Sequence, residues 1–137
     1  MTAFFLSILV AAQPPLDCHN ARTQTDMNQC AAISFTEADR ELNEAWREVI
    51  AYVRRFDREF PPIEGDTRAN GENRLRAAQR AWIVFRDEHC AVAGYEARGG
   101  TLEPLIYNGC RAGLTSERTE QLRGLVMDLV PADGAPQ

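Results

Sequence analysis

Between Met27 and Phe56 an apolar side chain recurs every three or four residues, through Ala31, Phe35, Ala38, Leu42, Ala45, Val49 and Tyr52. Alternating steps of three and four keep these residues on one face of an α-helix, and on no single face of a strand. Glu37, Arg40, Glu41, Glu44, Arg47 and Glu48 fall on the other faces, where charge stays in water. The pattern predicts a long amphipathic helix beginning near Thr23. Phe60-Pro61-Pro62 ends it, because proline has no N–H to donate and its ring clashes with the preceding turn. Thr36-Glu37-Ala38-Asp39 resembles a helix start and marks one place where the helix would divide.

A second stripe, Leu75, Ala78, Trp82, Phe85, His89 and Val92, predicts a second helix. It starts between Asp66 and Glu72, after a loop containing Gly65 and Asn70-Gly71, and ends at Gly99-Gly100. Beyond Pro104, Leu105-Ile106-Tyr107 predicts a short helical piece. Thr115, as an N-cap with Glu117 behind it, predicts a final helix burying Leu122, Leu125, Val126 and Leu129. Pro131 stops that helix, and residues 131–137 read as a flexible tail. Stripes of this spacing pack at shallow angles, so the expected fold is all-α, a small bundle of about three main helices. At 137 residues there is room for a single domain, placed at 13–130.

Residues 1–12 carry the run Phe4–Ala12, which reads as a shortened signal peptide with Val10-Ala11-Ala12 as the cleavage site before Gln13. No Lys or Arg precedes the run, and a buried strand or helix turn is the rival reading. No segment approaches the roughly 20 apolar residues needed to cross a bilayer. Pro15-Leu16-Asp17 before Cys18 does not form a lipidation site. Cys18, Cys30, Cys90 and Cys110 are an even set, which in an exported short chain reads as two disulfides. Zinc is the rival reading, since His19 and His89 adjoin two of the cysteines. Neighbouring helical residues point about 100° apart, and no Cys-x-x-Cys is present, so the disulfide reading is favoured and no metal or cofactor is expected.

The net charge of −5 disfavours nucleic acid as a partner and suits a basic protein or a cationic ligand, although most acidic proteins are acidic only for solubility. There is no Gly-x-Ser-x-Gly, no phosphate-cradling glycine loop and no His-Glu-x-x-His. Both histidines sit beside cysteines expected to be oxidised, and a disulfide has no thiolate to attack with. The chain therefore reads as a binding protein, not an enzyme. Gln79, Arg80, Arg86 and Asp87 surround Trp82 and Phe85 as either a binding surface or a hydrogen-bonded network that fixes helix register; the network is favoured. Arg86 and Asp87, being adjacent, are expected to point apart to different partners. Asp39 and Asn43, four residues apart on the first helix, read as part of the same structural set. Trp46, Tyr52, Phe56, Trp82 and Phe85 form either a packed core or a ligand cavity, with the core favoured.

Asp17-Cys18, Thr23-Gln24, Met27-Asn28-Gln29-Cys30-Ala31, Ala38-Asp39 and Leu42-Asn43 recur as an ordered set. Ala78-Gln79-Arg80-Ala81-Trp82-Ile83, Phe85-Arg86-Asp87, Cys90, Gly99-Gly100-Thr101, Cys110, Leu114-Thr115, Arg118 and Leu122 continue it. Together they resemble the lysozyme-inhibitor LprI-like N-terminal domain family, from about Asp17 to Leu129. The resemblance implies export to the bacterial cell envelope, a helical fold, two disulfides and a lysozyme as protein partner. It carries no catalytic residues, no metal ligands and no mapped inhibitory motif. The alternatives are an envelope structural or stress protein with another partner, and a small-ligand carrier using the aromatic residues.

Four cysteines allow three connectivities. Cys90 lies ten residues before Gly100 and Cys110 ten after it, so a chain reversal there would pair them, leaving Cys18 to fold back on Cys30. A lysozyme cleft holds two catalytic carboxylates, so a blocking segment should be slim and rich in donors. The turn Arg98-Gly99-Gly100-Thr101 is the first candidate, because glycine permits close backbone approach and arginine offers charge-assisted hydrogen bonds. The rival reading is that the glycines only end the second helix. The loop from Ile63 to Gly71, with Arg68, is the next candidate.

Overall fold

A computed structural model describes residues 16–129. The expected signal peptide at 1–12 and the tail at 131–137 lie outside those residues. The chain runs up, down and up through α1 (Gln24–Glu59), α2 (Gly71–Ala93) and α3 (Glu103–Leu129), with one 3-10 turn at Tyr95–Ala97. No strand occurs among the described residues. α1 spans about 54 Å at 1.5 Å per residue, and its most extensive contact is with the parallel α3.

α1 begins where the sequence predicts: the Thr23 side chain caps it by accepting from the Asp26 N–H. It runs unbroken through Thr36, whose hydroxyl bonds back to the Ala32 carbonyl on the exposed side. Ala31, Ala38, Leu42, Ala45 and Val49 are buried along the expected stripe, joined by Ile50. Alanine at three of these positions lets α3 come close. The core proper joins Leu42, Ala45, Val49 and Ile50 to Leu75 of α2 and Leu122 of α3, with Trp46, Val53, Trp82 and Val126 packed around it.

α2 starts on α1. The Asp57 carboxylate accepts the N–H groups of Gly71 and Glu72, both at 2.9 Å, and Asn70 caps Asn73. A side chain at position 71 would meet Val53 Cγ1 at 2.9 Å, so only glycine allows this approach. The buried stripe of α2 differs from the expected one. It follows Leu75, Arg86 and Cys90, with Gln79 and Trp82 half-buried between them, while Ala78, Phe85, His89 and Val92 are exposed. The helix turns inward an arginine and a cysteine, which an apolar count does not weigh as core.

α2 ends at Ala93 with Gly94 as its cap, five residues before Gly99. α3 is one helix and not two pieces. It passes through Gly109 and Gly113, and Thr115 is fully buried in its middle instead of capping a new start. Glycine inside a helix costs about 1 kcal/mol relative to alanine, and packing along α1 outweighs it. Pro104 fits because it falls in the first turn, where its missing N–H has no role. Both expected disulfides form, Cys18–Cys30 and Cys90–Cys110, each with Cα atoms 5.5 Å apart. All four cysteines are thereby used.

Candidate functional site

Mid-bundle, the three helices meet in a column of alternating arginine and aromatic side chains. Arg86, 5% exposed, lies 5.1 Å from the ring of Phe35 and 5.1 Å from that of Trp82. Arg111 lies over the other partners, 3.6 Å from the Phe35 ring and 5.0 Å from Tyr107. Arg118 lies 5.9 Å from Trp82. Each cation gains from the electron-rich ring face it touches.

Polar contacts fix the column. Arg86 Nη1 donates to Thr115 Oγ1 at 3.3 Å and approaches Asp39 Oδ1 at 3.8 Å. Arg86 Nε donates to Asp87 Oδ1 at 2.9 Å, so these adjacent residues do meet, contrary to the expectation from their positions. The long arginine stem curls back along the helix to reach its neighbour. Arg111 Nε lies 3.3 Å from the same Asp87 oxygen, close enough for ion pairing but not aligned for a hydrogen bond. Arg118 Nε donates to Gln79 Oε1 at 3.1 Å and its Nη1 to Gln121 Oε1 at 3.2 Å. Burial pushes the Arg118 guanidinium below its ordinary pKa.

The structure thus gathers Asp39, Gln79, Arg86 and Asp87 around one column. Asn43 stays on α1, donating to the Asp39 carbonyl and carboxylate at 2.8 and 3.0 Å. Arg80 is exposed, with no hydrogen bond or ion pair among the described residues. Sequence reasoning missed Phe35, Tyr107 and Arg111 as members, and assigned Thr115 to a cap. The available signal was the excess of arginine at positions three or four residues from aromatic ones.

The second cluster is at the end of the bundle where α1 begins and α2 reverses into α3. Residues 98–102 are exposed. Gly99 adopts φ +78°, a left-handed conformation suited to glycine, and its N–H donates to Glu103 Oε2 at 2.6 Å. The Gly100 N–H donates to the Ala97 carbonyl, and the Thr101 carbonyl accepts from Asn28 Nδ2 at 2.9 Å. The Cys90–Cys110 disulfide ties together the two helices that flank the turn, and two side-chain bonds, from Asn28 and Glu103, hold it. Arg98 projects from it with its guanidinium 4.7 Å from the Tyr95 ring and its Nη1 bonded to the Tyr95 hydroxyl at 3.3 Å. No carboxylate pairs with Arg98 among the described residues. Asp17, Asp26, Glu88, Glu96 and Glu103 lie in the segments that converge here, against Arg22 and Arg98. Of the five carboxylates, Glu103 touches the turn, through the Gly99 N–H.

Nothing in either cluster assembles a nucleophile with a base, and no group of three or more metal-ligating side chains occurs among the described residues. Chemically, the column can hold helices in register, and the turn can present donors to another molecule.

Comparison with known proteins gives three matches. Residues 18–122 match the family model described as lysozyme inhibitor LprI. A Rhizobium meliloti (strain 1021) protein described as uncharacterized protein R02472 is 44% identical over 116 residues, covering 85% of this chain and 83% of that protein. A crystal structure of a DUF1311 family protein from Pseudomonas putida KT2440 superposes with a TM-score of 0.60 at 32% identity, over 75% of this chain and 93% of that one.

Proposed function

The chain belongs to the lysozyme inhibitor LprI family, and we propose that it inhibits a basic lysozyme outside the cytoplasm by inserting the Arg98–Thr101 turn into the substrate cleft. The observation that carries this reading is the braced turn with its unpaired cation. A segment meant to enter a cleft lined by carboxylates needs a narrow backbone, a fixed shape and positive donors at its tip. Gly99 and Gly100 supply the narrowness. Glu103, Asn28 and the Cys90–Cys110 disulfide supply the shape, and Arg98 supplies the donors. Bidentate hydrogen bonds from a guanidinium to a carboxylate are among the stronger contacts available at an interface.

The net negative charge acts at longer range. A chain of net charge −5 attracts a basic enzyme and orients its approach, which raises the association rate more than the affinity. Two disulfides suit an oxidising compartment. No helix among the described residues is long and apolar enough to cross a membrane. The description of the matching family model, lysozyme inhibitor, supports this reading.

The test is lysis of bacterial cell walls by a basic lysozyme with the oxidised protein added. Lysis should fall saturably at protein concentrations on the order of micromolar. Inhibition should weaken as salt rises from about 0.05 to about 0.5 M, because screening shortens the reach of the charge attraction. Undiminished lysis with every lysozyme type tried, at those concentrations, would overturn the proposal.

A further inference from the structure

At the opposite end of the bundle, the α1 and α2 helices and their connecting loop enclose an open groove of about 990 Å³ with α3 as its third wall. Its floor is apolar, formed by Val53, Leu75, Ala78 and Leu125. At its mouth the exposed rings of Phe56 and Phe60 stack with centroids 4.6 Å apart. The volume is in the range of small-molecule sites, which combine an apolar lining with a few polar groups.

The charges lining the groove are not balanced. Both oxygens of Asp57 are occupied by the N–H groups that start α2. Asp66 is held by Arg68 through bonds of 2.6 and 2.8 Å. Arg74 donates only to the Ala69 carbonyl. Arg118 donates to two glutamine oxygens, and its Nη2 has no partner among the described residues. Neither Arg74 nor Arg118 has a carboxylate within ion-pair distance among those residues. In this groove, exposed apolar surface lies beside three arginines, Arg68, Arg74 and Arg118, against two carboxylates, Asp57 and Asp66.

We propose that the groove binds a single-chain amphipathic anion, a fatty-acid carboxylate, with its headgroup at Arg118 and its acyl tail along Leu75 and Leu125 toward Phe56 and Phe60, while Arg74, held at the Ala69 carbonyl, adds positive charge to the wall. Arg118 and Leu125 are seven residues apart on α3, so the groove offers about 10 Å from headgroup to tail wall before Phe56 and Phe60 extend it. Gln79 and Gln121 orient the guanidinium without neutralising it. A half-buried cation that has lost water and lacks a counter-charge gains more from an incoming carboxylate than a surface arginine does. The tail would cover the Phe56–Phe60 pair, removing apolar surface from water. This site is separate from the Arg98 turn, so the two proposals stand or fall independently.

Isothermal titration calorimetry of the full oxidised chain with sodium laurate, below its micelle concentration, tests the assignment. Laurate should bind saturably at one site, at least roughly tenfold tighter than dodecanol, because the headgroup bonds are to a charged partner. Dodecyltrimethylammonium should bind more weakly than either. Arg118→Gln should weaken laurate by roughly tenfold and leave dodecanol unchanged. Arg74→Gln and Phe60→Asp alter exposed positions, so their effects do not depend on refolding of the core; both should weaken laurate and leave lysozyme inhibition intact. Dodecanol binding as tightly as laurate, or laurate binding unchanged in all three variants, would overturn the headgroup assignment. Absence of laurate binding alongside cosedimentation with anionic vesicles would give the face to a lipid surface and overturn it too, as would absence of both.

Discussion

Replacing Arg86 with methionine keeps most of the buried stem and removes only the charged head. The head donates to Thr115 at 3.3 Å and to Asp87 at 2.9 Å. Hydrogen bonds of this charged kind contribute about 1.5–3 kcal/mol each when isolated by mutation. The 3.8 Å approach to Asp39 adds only a few tenths of a kcal/mol, because that side chain is 44% exposed and solvent screens the pair. The contacts with Phe35 and Trp82 add about 0.5–1 kcal/mol each. Against these stands the cost of holding a guanidinium at 5% exposure, which methionine escapes. The expected net loss for Arg86→Met is about 3–4 kcal/mol, within the range for breaking a buried charged network. For an ordered domain of this size that lowers the melting temperature by roughly 10–15 °C. Circular dichroism melts and urea titrations measure it. Arg86→Lys should recover only part of the loss, since an ammonium cannot lie flat between two rings while donating to both Thr115 and Asp87. A double-mutant cycle with Thr115→Val should show coupling of about 1 kcal/mol. A loss below about 1 kcal/mol, or a gain, would refute the reasoning by showing that desolvation cancels the network.

Three further outcomes follow from packing and charge. Leu122→Ala, at a fully buried position, should cost about 2–5 kcal/mol, whereas Phe85→Ala, at 55% exposure, should cost under about 1 kcal/mol; reversed values in urea titrations would mean that α2 faces the other way. Mild reduction followed by alkylation and peptide mapping should open Cys18–Cys30 first, since Cys18 is exposed and Cys90 is fully buried. Losing each bond costs about 3 kcal/mol for loops of this length. Arg54 and then Arg76 hold the Glu72 carboxyl down to about 2 from an ordinary 4.5. A lowered carboxylate pKa stabilises the fold above the unfolded value, and the effect fades as pH falls through the folded value. Glu72→Gln should therefore be less stable than the natural chain near pH 6 and indistinguishable from it near pH 2, a convergence that unfolding titrations across the window would show or deny.

The sequence made the bundle legible because α1 carries its stripe almost without exception. Ala31, Ala38, Leu42, Ala45 and Val49 fall on the buried face as expected. The face of α2 was harder to read because two ladders share Leu75 and Trp82. One continues through Phe85 and His89, the other through Arg86 and Cys90, and apolar periodicity favours the wrong one. Burial of Arg86 depends on Phe35, Asp39 and Thr115, which come from two other helices and leave no local mark. α3 looked divided because Thr115 with Glu117 behind it resembles a helix start, while its burial in the bundle, where it accepts from Arg86 of α2, leaves no local mark. The disulfide pairing was readable from the reversal near Gly100. The turn itself was visible as a glycine pair, but its bracing by Asn28 and Glu103 was not. Of the five aromatic residues read as either core or a ligand cavity, Tyr52 and Phe56 line the groove, but its walls come from positions 52 to 125, so Phe60, Arg74 and Arg118 left no local mark.

The inhibition constant of Arg98→Glu, set beside that of the natural chain, bears most directly on the proposed mode of inhibition. Arg98 is exposed and its contacts are confined to Tyr95, so the variant should melt as the natural chain does. If the turn enters the cleft, the variant loses charge-assisted bonds and sets a carboxylate against carboxylates. Inhibition should then weaken by roughly a hundredfold, the equivalent of about 2.8 kcal/mol. Unchanged inhibition by a correctly folded Arg98→Glu variant would contradict the account and remove the turn from the interface.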